Sequence, residues 1–520
     1  MKTICLIFLL SVSAWCFGQK PNWQNLDLQK DSTMGIGTER AYLELLKNKR
    51  ASTVLVAVID GGIDTLHEDL KPVLWQNPKE KLNGKDDDKN GYIDDFHGWD
   101  FIGSSKGNVH YDNLELVRQI RQNQVQFAGK DSTTIQPSEK PAFRLFLKEK
   151  EELNQLLALS KNRVNSAKGL KKIVENMVQS IGKPDPTLKD FQDYDTKDLT
   201  EDRVRAFIVL QLQHGENLKS LVEKQLDEAI IQGEIELNYK LNINYDPRDL
   251  VDDDYFNSRQ HDYGNNDVMG PEATHGTHVA GIIGAIRDNQ IGIKGVADHV
   301  KVMVLRAVPN GDERDKDVAN ALRYAADNGA KVINMSFGKS YSQDKKAVDD
   351  AVKYALSKDV LLVQAAGNDN KNMDVEPNFP NRKYENGEIA GAWIVVGASD
   401  WKDDETLKAS FSNYGSTTVD VFAPGVKIKS TIPGNRYVEF SGTSMAAPVV
   451  TGLAALIREY YPKLTAVQVK EIIMKSVVKI GHNVSYIENG RSKSIPFASL
   501  CLSGGIVNAY GALQLAATYK

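Results

Sequence analysis

The sequence predicts an α/β protein in which a mainly parallel sheet is flanked by helices and an α-helical hairpin or bundle is inserted. Continuous apolar runs, such as residues 54–60 and 360–365, are typical of strands that are buried on both faces. Amphipathic helices, such as residues 315–328, alternate with these runs. Between residues 104 and 250 the composition changes to Lys, Glu, Gln and Leu with few glycines. The alternation of strands and helices predicts three layers, with helices on both faces of the sheet.

The elements of this α/β part can be taken in chain order. The first strand ends in Asp60, which two turn glycines follow. Near the other end of the chain, a polar turn at residues 439–443 leads into a buried helix of small apolar residues. Between them the sequence predicts a helix after residue 274, strands at 301–308, 331–338, 360–365 and 393–398, and helices at 315–328 and 345–356.

The insertion, residues 104–250, repeats apolar residues at helical spacings of three and four. Breaks between its helices are expected near residues 129–141, 182–186 and 239–247. Because both flanks lead to elements that carry candidate catalytic residues, the insertion is expected to emerge near the rim of the active site. It is either a packing appendage or, alternatively, a lid or a surface that selects substrates, and the sequence leaves these hypotheses open.

The start of the chain predicts export. Lys2 precedes a short apolar run at residues 4–10, and the small residues Cys16 and Gly18 suggest cleavage before Gln19. Residues 1–18 are therefore interpreted as a signal peptide for a periplasmic or extracellular protein. A lipoprotein anchor on Cys16 is the rival interpretation, which the bulky Trp15 disfavours.

The remaining chain is divided into residues 19–103 and 251–520 of one catalytic domain and the 104–250 insertion. The net charge of the full 520-residue chain, −5, gives no indication of a nucleic-acid partner. No other stretch is long and apolar enough to predict a membrane span. After the predicted cleavage only Cys501 remains, so no internal disulfide is expected. The oligomeric state cannot be derived from these patterns.

Three residues have the chemistry of a nucleophile, its base and the group that orients the base. Ser444 lies at the start of the small-residue helix, His275 lies at the start of another, and Asp60 ends a buried strand. A serine hydroxyl becomes an effective nucleophile when a held imidazole takes its proton. The chain order Asp, His, Ser is one of the known orders of this triad.

The segments 57–64, 275–281 and 442–448 resemble the three signature blocks of the subtilisin family of serine proteases, the subtilases. A fourth segment, 363–368, is similar to the family block that carries the oxyanion-hole asparagine, here Asn368. The resemblance spans residues 54–101 and 253–480. It implies a three-layer subtilisin-like fold and an endopeptidase that hydrolyses proteins or peptides through an acyl-enzyme on Ser444.

The resemblance also implies where the substrate binds. The main chain of one segment is expected to pair with the substrate as an added strand. The primary pocket is expected between this segment and the block before Asn368. The expected substrate-binding residues are Ser336, Phe337, Gly338, Ala365, Ala366 and Gly367.

A calcium ion is the expected cofactor. Asp86, Asp88 and Asn90 alternate and Asp94 follows, which is the spacing of oxygen ligands in an EF-hand-like loop. The bidentate Glu of a full EF-hand is missing, and the family resemblance adds Asp69 as a calcium ligand. An acidic turn and a solvated acid without a cation are the alternatives.

Two rival functions and two rival residues were weighed. A catalytically silent subtilase scaffold that serves as a binding protein is the alternative function. An esterase is disfavoured because no Gly-x-Ser-x-Gly elbow surrounds Ser444. Asp64 and His278 lie close to Asp60 and His275 in the chain and are interpreted as structural residues.

Overall fold

A computed structural model describes residues 19–488 and 490–519 of the 520-residue chain. The predicted signal peptide, including Cys16, lies outside the described residues. Cys501 is a buried free thiol. No helix within the described residues is long and apolar enough to cross a bilayer.

The strands are short and number fifteen in the described chain: β1 Val54–Asp60, β2 Gly98–Asp100, β3 Gly103–Ser104, β4 Gly107–Asn108, β5 Val300–Arg306, β6 Val332–Met335, β7 Leu361–Ala365, β8 Trp393–Ser399, β9 Val421–Pro424, β10 Ile428–Ile432, β11 Arg436–Phe440, β12 Val478–Lys479, β13 Asn483–Glu488, β14 Arg491–Pro496 and β15 Gly505–Ile506.

The α-helices of the described chain are α1 Leu28–Asp31, α2 Thr38–Ala41, α3 Glu115–Phe127, α4 Lys140–Ile181, α5 Leu188–Gln192, α6 Leu199–Gln213, α7 Leu218–Leu221, α8 Glu228–Ile235, α9 Thr274–Gly284, α10 Asp315–Asp327, α11 Lys345–Ser357, α12 Thr443–Tyr460, α13 Ala466–Lys475 and α14 Ala509–Ala516. Short 3-10 and π-helical turns extend several of them.

Nine strands form one sheet in the order β12-β15-β9-β8-β7-β6-β1-β5-β2. Every pair in it is parallel except β12 with β15 at one edge. In the register of β1 and β5, Val54 pairs with Val300 and Asp60 with Arg306. The carboxyl ends of the central strands therefore meet at one edge, where ligand sites of parallel sheets form.

Alternate residues of the strands pack into two apolar cores, one on each face of the sheet. Val56 and Val58 of β1 join the core under α9 and α12, whereas Ala57 and Ile59 join the core under α10 and α11. A strand whose side chains are buried on both faces has a continuous run of apolar residues in its sequence. For this reason these strands could be predicted from the sequence. The three-layer α/β fold with a mainly parallel sheet confirms the predicted fold class.

The insertion contains α3 to α8. Its longest helix, α4, has 42 residues, and Gly182 ends it in the left-handed conformation with φ 73°. At 1.5 Å per residue this helix is about 63 Å long. Its two halves have separate apolar cores. The core of its first half includes residues of α3 and the partly buried Tyr341 from the α/β part, and the core of its second half packs against α5 to α7.

Candidate active site

Asp60 and His275 form a hydrogen-bonded pair at the carboxyl edge of the sheet. Asp60 is the last residue of β1 and is buried, and its two carboxylate oxygens lie 2.8 and 3.0 Å from Nδ1 of His275. Helix α9 approaches this closely because Gly276 has no side chain: a Cβ there would lie 2.2 Å from the carbonyl oxygen of Gly62. The other ring nitrogen of His275 is thereby left for a substrate or a nucleophile.

The charge of Asp60 controls the protonation of His275. Burial acts to lower the pKa of the imidazole, but the Asp60 carboxylate, through its charge and its hydrogen bond, raises the pKa above 6.5. The side chain of His275 is 42 % exposed. The pair can therefore accept a proton from a group that reaches the ring and can stabilise the resulting imidazolium.

Ser444 is the second residue of α12 and faces a groove. Its hydroxyl donates to the main-chain carbonyl of Ser336 at 3.2 Å, and in this part of the described structure it makes no hydrogen bond to His275. Ser336 lines both the groove that contains Ser444 and a smaller cavity that contains Asp60 and His275. The three predicted triad residues therefore line two cavities that share Ser336.

The amide of Asn368 has a fixed orientation. Its Oδ1 accepts hydrogen bonds from the main-chain N–H of Thr443 at 2.9 Å and from the Thr443 hydroxyl at 3.0 Å. Because oxygen is the acceptor, Nδ2 is the end of the amide that remains to donate into the groove, which Asn368 lines together with Ser444. Thr443 was not indicated by sequence reasoning, and only its position beside Ser444 could have suggested this role.

The loop that carries Asn368 is held by Asn413, another residue that sequence reasoning missed. Oδ1 of Asn413 accepts from the main-chain N–H groups of Asp369 and Lys371, and its Nδ2 donates to the carbonyl of Ala366. Gly367 has φ 103° and a Cβ there would lie 2.5 Å from Asn413 Nδ2, so glycine is needed at this position.

The groove has a volume of about 670 Å³ and is lined by five of the six residues that were expected to bind substrate. These five are Ser336, Phe337, Gly338, Ala365 and Gly367. The sixth, Ala366, directly follows β7 and is fully buried in the core that packs under α10 and α11, on the face of the sheet opposite to Ala365. A substrate-lining role of the Ala366 side chain is therefore not supported.

The insertion also lines the groove. Lys148 and Glu152 of α4 lie beside the segment that follows Gly338. The Tyr341 hydroxyl donates to Glu152 Oε2 at 2.5 Å, and Lys339 Nζ lies 2.8 Å from Glu115 Oε2 of α3. The sequence indicated a position near the rim but gave no signal for these partners, since more than a hundred residues separate them in the chain.

Residues Asp64 and His278 have structural partners. The Asp64 carboxylate accepts from the main-chain N–H groups of Leu66 and Gly434. His278 is fully buried with its Nε2 3.1 Å from the carbonyl of Val438, and burial lowers its pKa to about 4. A neutral, enclosed imidazole of this kind is unsuited to exchange protons with a substrate.

The acidic loop after β1 brings three carboxylates together. Ligand atoms of Glu80, Asp86 and Asp88 lie within 4.8 Å of one another. Glu80 is buried, and its Oε2 has no hydrogen-bond partner in the described structure. An unpartnered buried carboxylate oxygen beside two further carboxylates fits a hard cation with oxygen ligands, such as calcium. Glu80 precedes the EF-hand-like pattern, so that spacing could not reveal it.

The other predicted metal ligands have different partners. Asp94 closes the loop, because its two oxygens accept from the main-chain N–H groups of Asn83 and Gly84. Asn90 Oδ1 accepts from the N–H of Tyr92 at 2.8 Å. Asp69 lies elsewhere: it is fully buried, and Asn289 Nδ2 donates to it at 2.7 Å. None of these three belongs to the carboxylate cluster in the described structure.

Comparison with known proteins shows the family of this chain. The sequence model of a family described as the subtilase family matches residues 51–496. A thermophilic serine proteinase of Bacillus sp. (strain AK1) is 43 % identical over 221 residues, which are 42 % of this chain and 51 % of that protein. Thermitase of Thermoactinomyces vulgaris is 38 % identical over 241 residues, 46 % of this chain and 75 % of thermitase.

Among solved structures, a protease of Pseudoalteromonas arctica PAMC 21717 is similar at 28 % identity and a TM-score of 0.40, over 49 % of this chain and 80 % of that one. The aligned region spans about half the length of the Bacillus proteinase.

Proposed function

Because the chain belongs to the subtilase family, we propose that it is a serine endopeptidase that hydrolyses peptide bonds of proteins or peptides through an acyl-enzyme on Ser444. The observation that carries this proposal is the Asp60–His275 pair beside a groove lined by Ser444 and the oriented amide of Asn368. These are the nucleophile, base, orienting acid and oxyanion donor that acyl transfer requires.

In the proposed reaction, substrate binding turns the Ser444 hydroxyl from the Ser336 carbonyl toward Nε2 of His275. Ser444 Oγ attacks the scissile carbonyl carbon while His275 takes its proton. His275 then gives that proton to the leaving amine, the C–N bond breaks and an acyl-enzyme remains. Water, deprotonated by the same imidazole, attacks the ester and releases the acid product. Asp60 holds the ring and stabilises the imidazolium throughout.

The oxyanion of each tetrahedral intermediate would receive a hydrogen bond from Asn368 Nδ2 and another from the main-chain N–H of Ser444. The contact of Thr443 with Asn368 Oδ1 supports this role, since it prevents the amide from turning its oxygen into the groove. Ser444 lies in the first turn of the 18-residue helix α12, whose dipole also favours negative charge at this end.

The insertion would take part in substrate selection. Two contacts tie it to the segment after Gly338, Lys339 with Glu115 and Tyr341 with Glu152, and Lys148 and Glu152 form an outer wall of the groove. These contacts favour a substrate-selecting surface over a remote packing appendage. They do not describe a lid that covers Ser444.

A calcium ion held by Glu80, Asp86 and Asp88 would stabilise the loop that follows β1. Glu80 joins Asp86 and Asp88 in the central ligand set because its buried Oε2 has no hydrogen-bond partner in the described structure and the three carboxylates lie within 4.8 Å of one another. Asp94 does not belong to that cluster of described carboxylates. When bound, calcium would offset the repulsion between the clustered carboxylates. Its role would be structural.

Export is part of the proposed function and is supported by the basic and apolar pattern of residues 2–18. Sequencing the amino terminus of the protein recovered outside the cytoplasm would test cleavage before Gln19. A mature protein modified with lipid on Cys16 would support the anchored alternative.

Labelling with a fluorophosphonate probe tests the proposed triad. The mature protein is expected to react, and Ser444→Ala is expected to abolish labelling while leaving the circular dichroism spectrum unchanged. Hydrolysis of casein by the same preparation tests peptidase activity. A folded protein that neither reacts with the probe nor cleaves casein, with or without added calcium, would support the binding-protein alternative.

A further inference from the structure

Asp298, His299 and Glu459 form a cluster of metal-ligating side chains at the end of the sheet that faces away from the proposed active site. One ligand atom from each of the three lies within 4.8 Å of the others. His299 immediately precedes β5, whose far end pairs with Asp60, and Glu459 is the penultimate residue of α12. The cluster therefore joins the start of a central strand to the end of the helix that carries Ser444.

Glu459 has an unpartnered oxygen that is directed into this cluster. Its side chain is fully buried, and its Oε1 accepts a hydrogen bond from the main-chain N–H of His299 at 3.1 Å. Its Oε2 has no hydrogen-bond partner among the described residues. Buried carboxylate oxygens without a partner are rare in native proteins because the lost hydration is not replaced.

The surroundings of Glu459 add negative charge. Burial, and then the nearby Asp298 carboxylate, raise the pKa of Glu459 well above 4.5. The carbonyl end of the α12 dipole is also negative. Among the described residues no Lys or Arg forms an ion pair with Glu459 or Asp298; the neighbouring Arg458 pairs with Asp359 instead. Within the described residues, therefore, no Lys or Arg side chain compensates the charge at this place, and main-chain N–H groups supply only part of the compensation.

We propose that Asp298, His299 and Glu459 bind a divalent transition-metal ion. Zinc is the ion with which this proposal is tested. Nδ1 of His299 lies 2.8 Å from Asp298 Oδ1, so these two donor atoms are adjacent at the surface, and Glu459 supplies the third from the protein interior. A single bound cation would offset the three features that disfavour a negative charge on Glu459. These are its burial, its proximity to the Asp298 carboxylate and its position at the negative end of α12.

The donor set identifies the class of metal. One imidazole nitrogen and two carboxylate oxygens suit zinc and similar divalent ions, whereas calcium and magnesium take oxygen ligands almost exclusively. Asp298 and His299 are exposed at the surface, so solvent ions can reach the site. This site is therefore chemically distinct from the all-carboxylate cluster of Glu80, Asp86 and Asp88.

The ion would act as a structural link. Fifteen residues of α12 separate Ser444 from Glu459, which at 1.5 Å per residue corresponds to about 22 Å. At that distance the metal cannot contact a substrate bound at Ser444. It would fix the carboxyl end of α12 against the start of β5, and its loss would lower stability without requiring any change in the chemistry.

Calorimetric titration of the untagged mature chain with zinc tests the proposal. The Ser444→Ala background prevents self-digestion, and excess calcium keeps the acidic loop saturated. The parent is expected to bind one zinc ion per chain, with a melting temperature that rises with zinc concentration as linkage requires. Glu459→Gln and His299→Asn are each expected to weaken binding by at least about tenfold.

Two variants serve as matched controls. His482 forms a similar exposed pair with Asp403, at 2.9 Å, but is not part of a three-ligand cluster in the described structure, so His482→Asn should leave zinc binding unchanged. Glu151→Gln, an exposed change on α4 outside both clusters, should also leave it unchanged. Absence of binding by the folded parent, or equal binding by the parent, Glu459→Gln and His299→Asn, would overturn the proposal. Because His299 is exposed, His299→Asn is expected to fold. It therefore tests the proposal even if Glu459→Gln fails to fold.

Discussion

Lys339 Nζ lies 2.8 Å from Glu115 Oε2, and both side chains are completely excluded from solvent. Lys339 directly follows the proposed substrate-pairing segment, whereas Glu115 begins α3 of the insertion. The insertion is therefore anchored by a buried ion pair behind the groove. Deleting residues 104–250 would leave Lys339 without this partner, so the contribution of the insertion is better measured with single substitutions.

Glu115→Gln is expected to lower the free energy of unfolding by about 1.5–3 kcal/mol, the contribution of hydrogen bonds to charged groups. The loss is limited because Lys339 keeps Asp315 at 2.8 Å and Arg118 keeps Asp112 at 3.6 Å. The carboxylate contacts both Lys339 and Arg118, which together hold its pKa at about 2 despite burial. Chemical denaturation of the Ser444→Ala background measures the change. Glu151→Gln, an exposed change of the same type on α4, should alter stability by less than about 0.5 kcal/mol. A similar small effect of both variants would contradict the structural role of the pair.

Tyr341→Phe removes the hydrogen bond between the groove segment and Glu152 and retains the ring. We expect KM for peptides that extend over several residues on the acyl side of the scissile bond to rise about fivefold, the equivalent of one net hydrogen bond. Cleavage of short amide substrates should be unaffected, because they do not reach α4. Steady-state kinetics on peptides of graded length measures both.

Glu152→Gln is the partner variant for this contact, since glutamine can still accept from Tyr341. The KM of Glu152→Gln should depend on peptide length in the same way as the KM of the parent. It should differ from the parent value only for substrates that place charged residues near α4. If Tyr341→Phe slowed cleavage of short and long substrates equally, the wall formed by α4 would have no role in selection.

Asn368→Ala is expected to lower kcat by about 10²–10³-fold with little change in KM, the range known for loss of one oxyanion-hole donor. The reason is that its Nδ2 would bind the oxygen only when negative charge develops. Thr443→Val, which removes one of the two hydrogen bonds that orient the amide, should have a smaller effect of the same type. A change in KM alone would place Asn368 in substrate binding instead.

Glu149→Gln should make the protein more stable at pH 8. Glu149 of α4 is fully buried, and burial, with a smaller contribution from Glu152, raises its pKa to about 7 although a hydrogen bond from Asn123 acts to lower it. For an acid whose pKa is raised on folding, the folded state binds more protons, so stability declines as pH rises from the unfolded pKa to the folded one.

The parent should therefore lose about 1–3 kcal/mol of stability between pH 5 and 8 that the Glu149→Gln variant retains. Denaturation of both proteins at several pH values provides the measurement. Parallel pH profiles of parent and variant would show that Glu149 does not titrate in this range.

Glu80→Gln should remove most of the stabilisation by calcium. The parent is expected to melt at a higher temperature with calcium than with a chelator, since the ion binds only the folded loop. Asp87→Asn changes the same charge in the same loop, but Asp87 lies outside the three-carboxylate cluster, so its calcium response should remain. An unchanged response of Glu80→Gln would exclude this set of ligands.

The fold class, the order of its strands and helices and the catalytic candidates followed from local sequence patterns. Apolar runs identify strands buried on both faces, and the small residues around His275 and Ser444 identify two closely packed helices. These features are visible in the chain because each one depends on residues that are close together in sequence. The same holds for the interruption of the sheet by a helical insertion.

Tertiary structure alone determined which distant residues meet. It joined Glu115 to Lys339 and Glu152 to Tyr341, placed Glu80 in the acidic cluster and directed Ala366 away from the groove. Local periodicity cannot encode such contacts, because a buried charge or a hydrogen-bond partner is chosen by where two folded segments cross. The sequence by itself therefore determined the chemistry that is available to this protein, and folding decided which carboxylates cluster together, which contact the insertion and which lie beside His275.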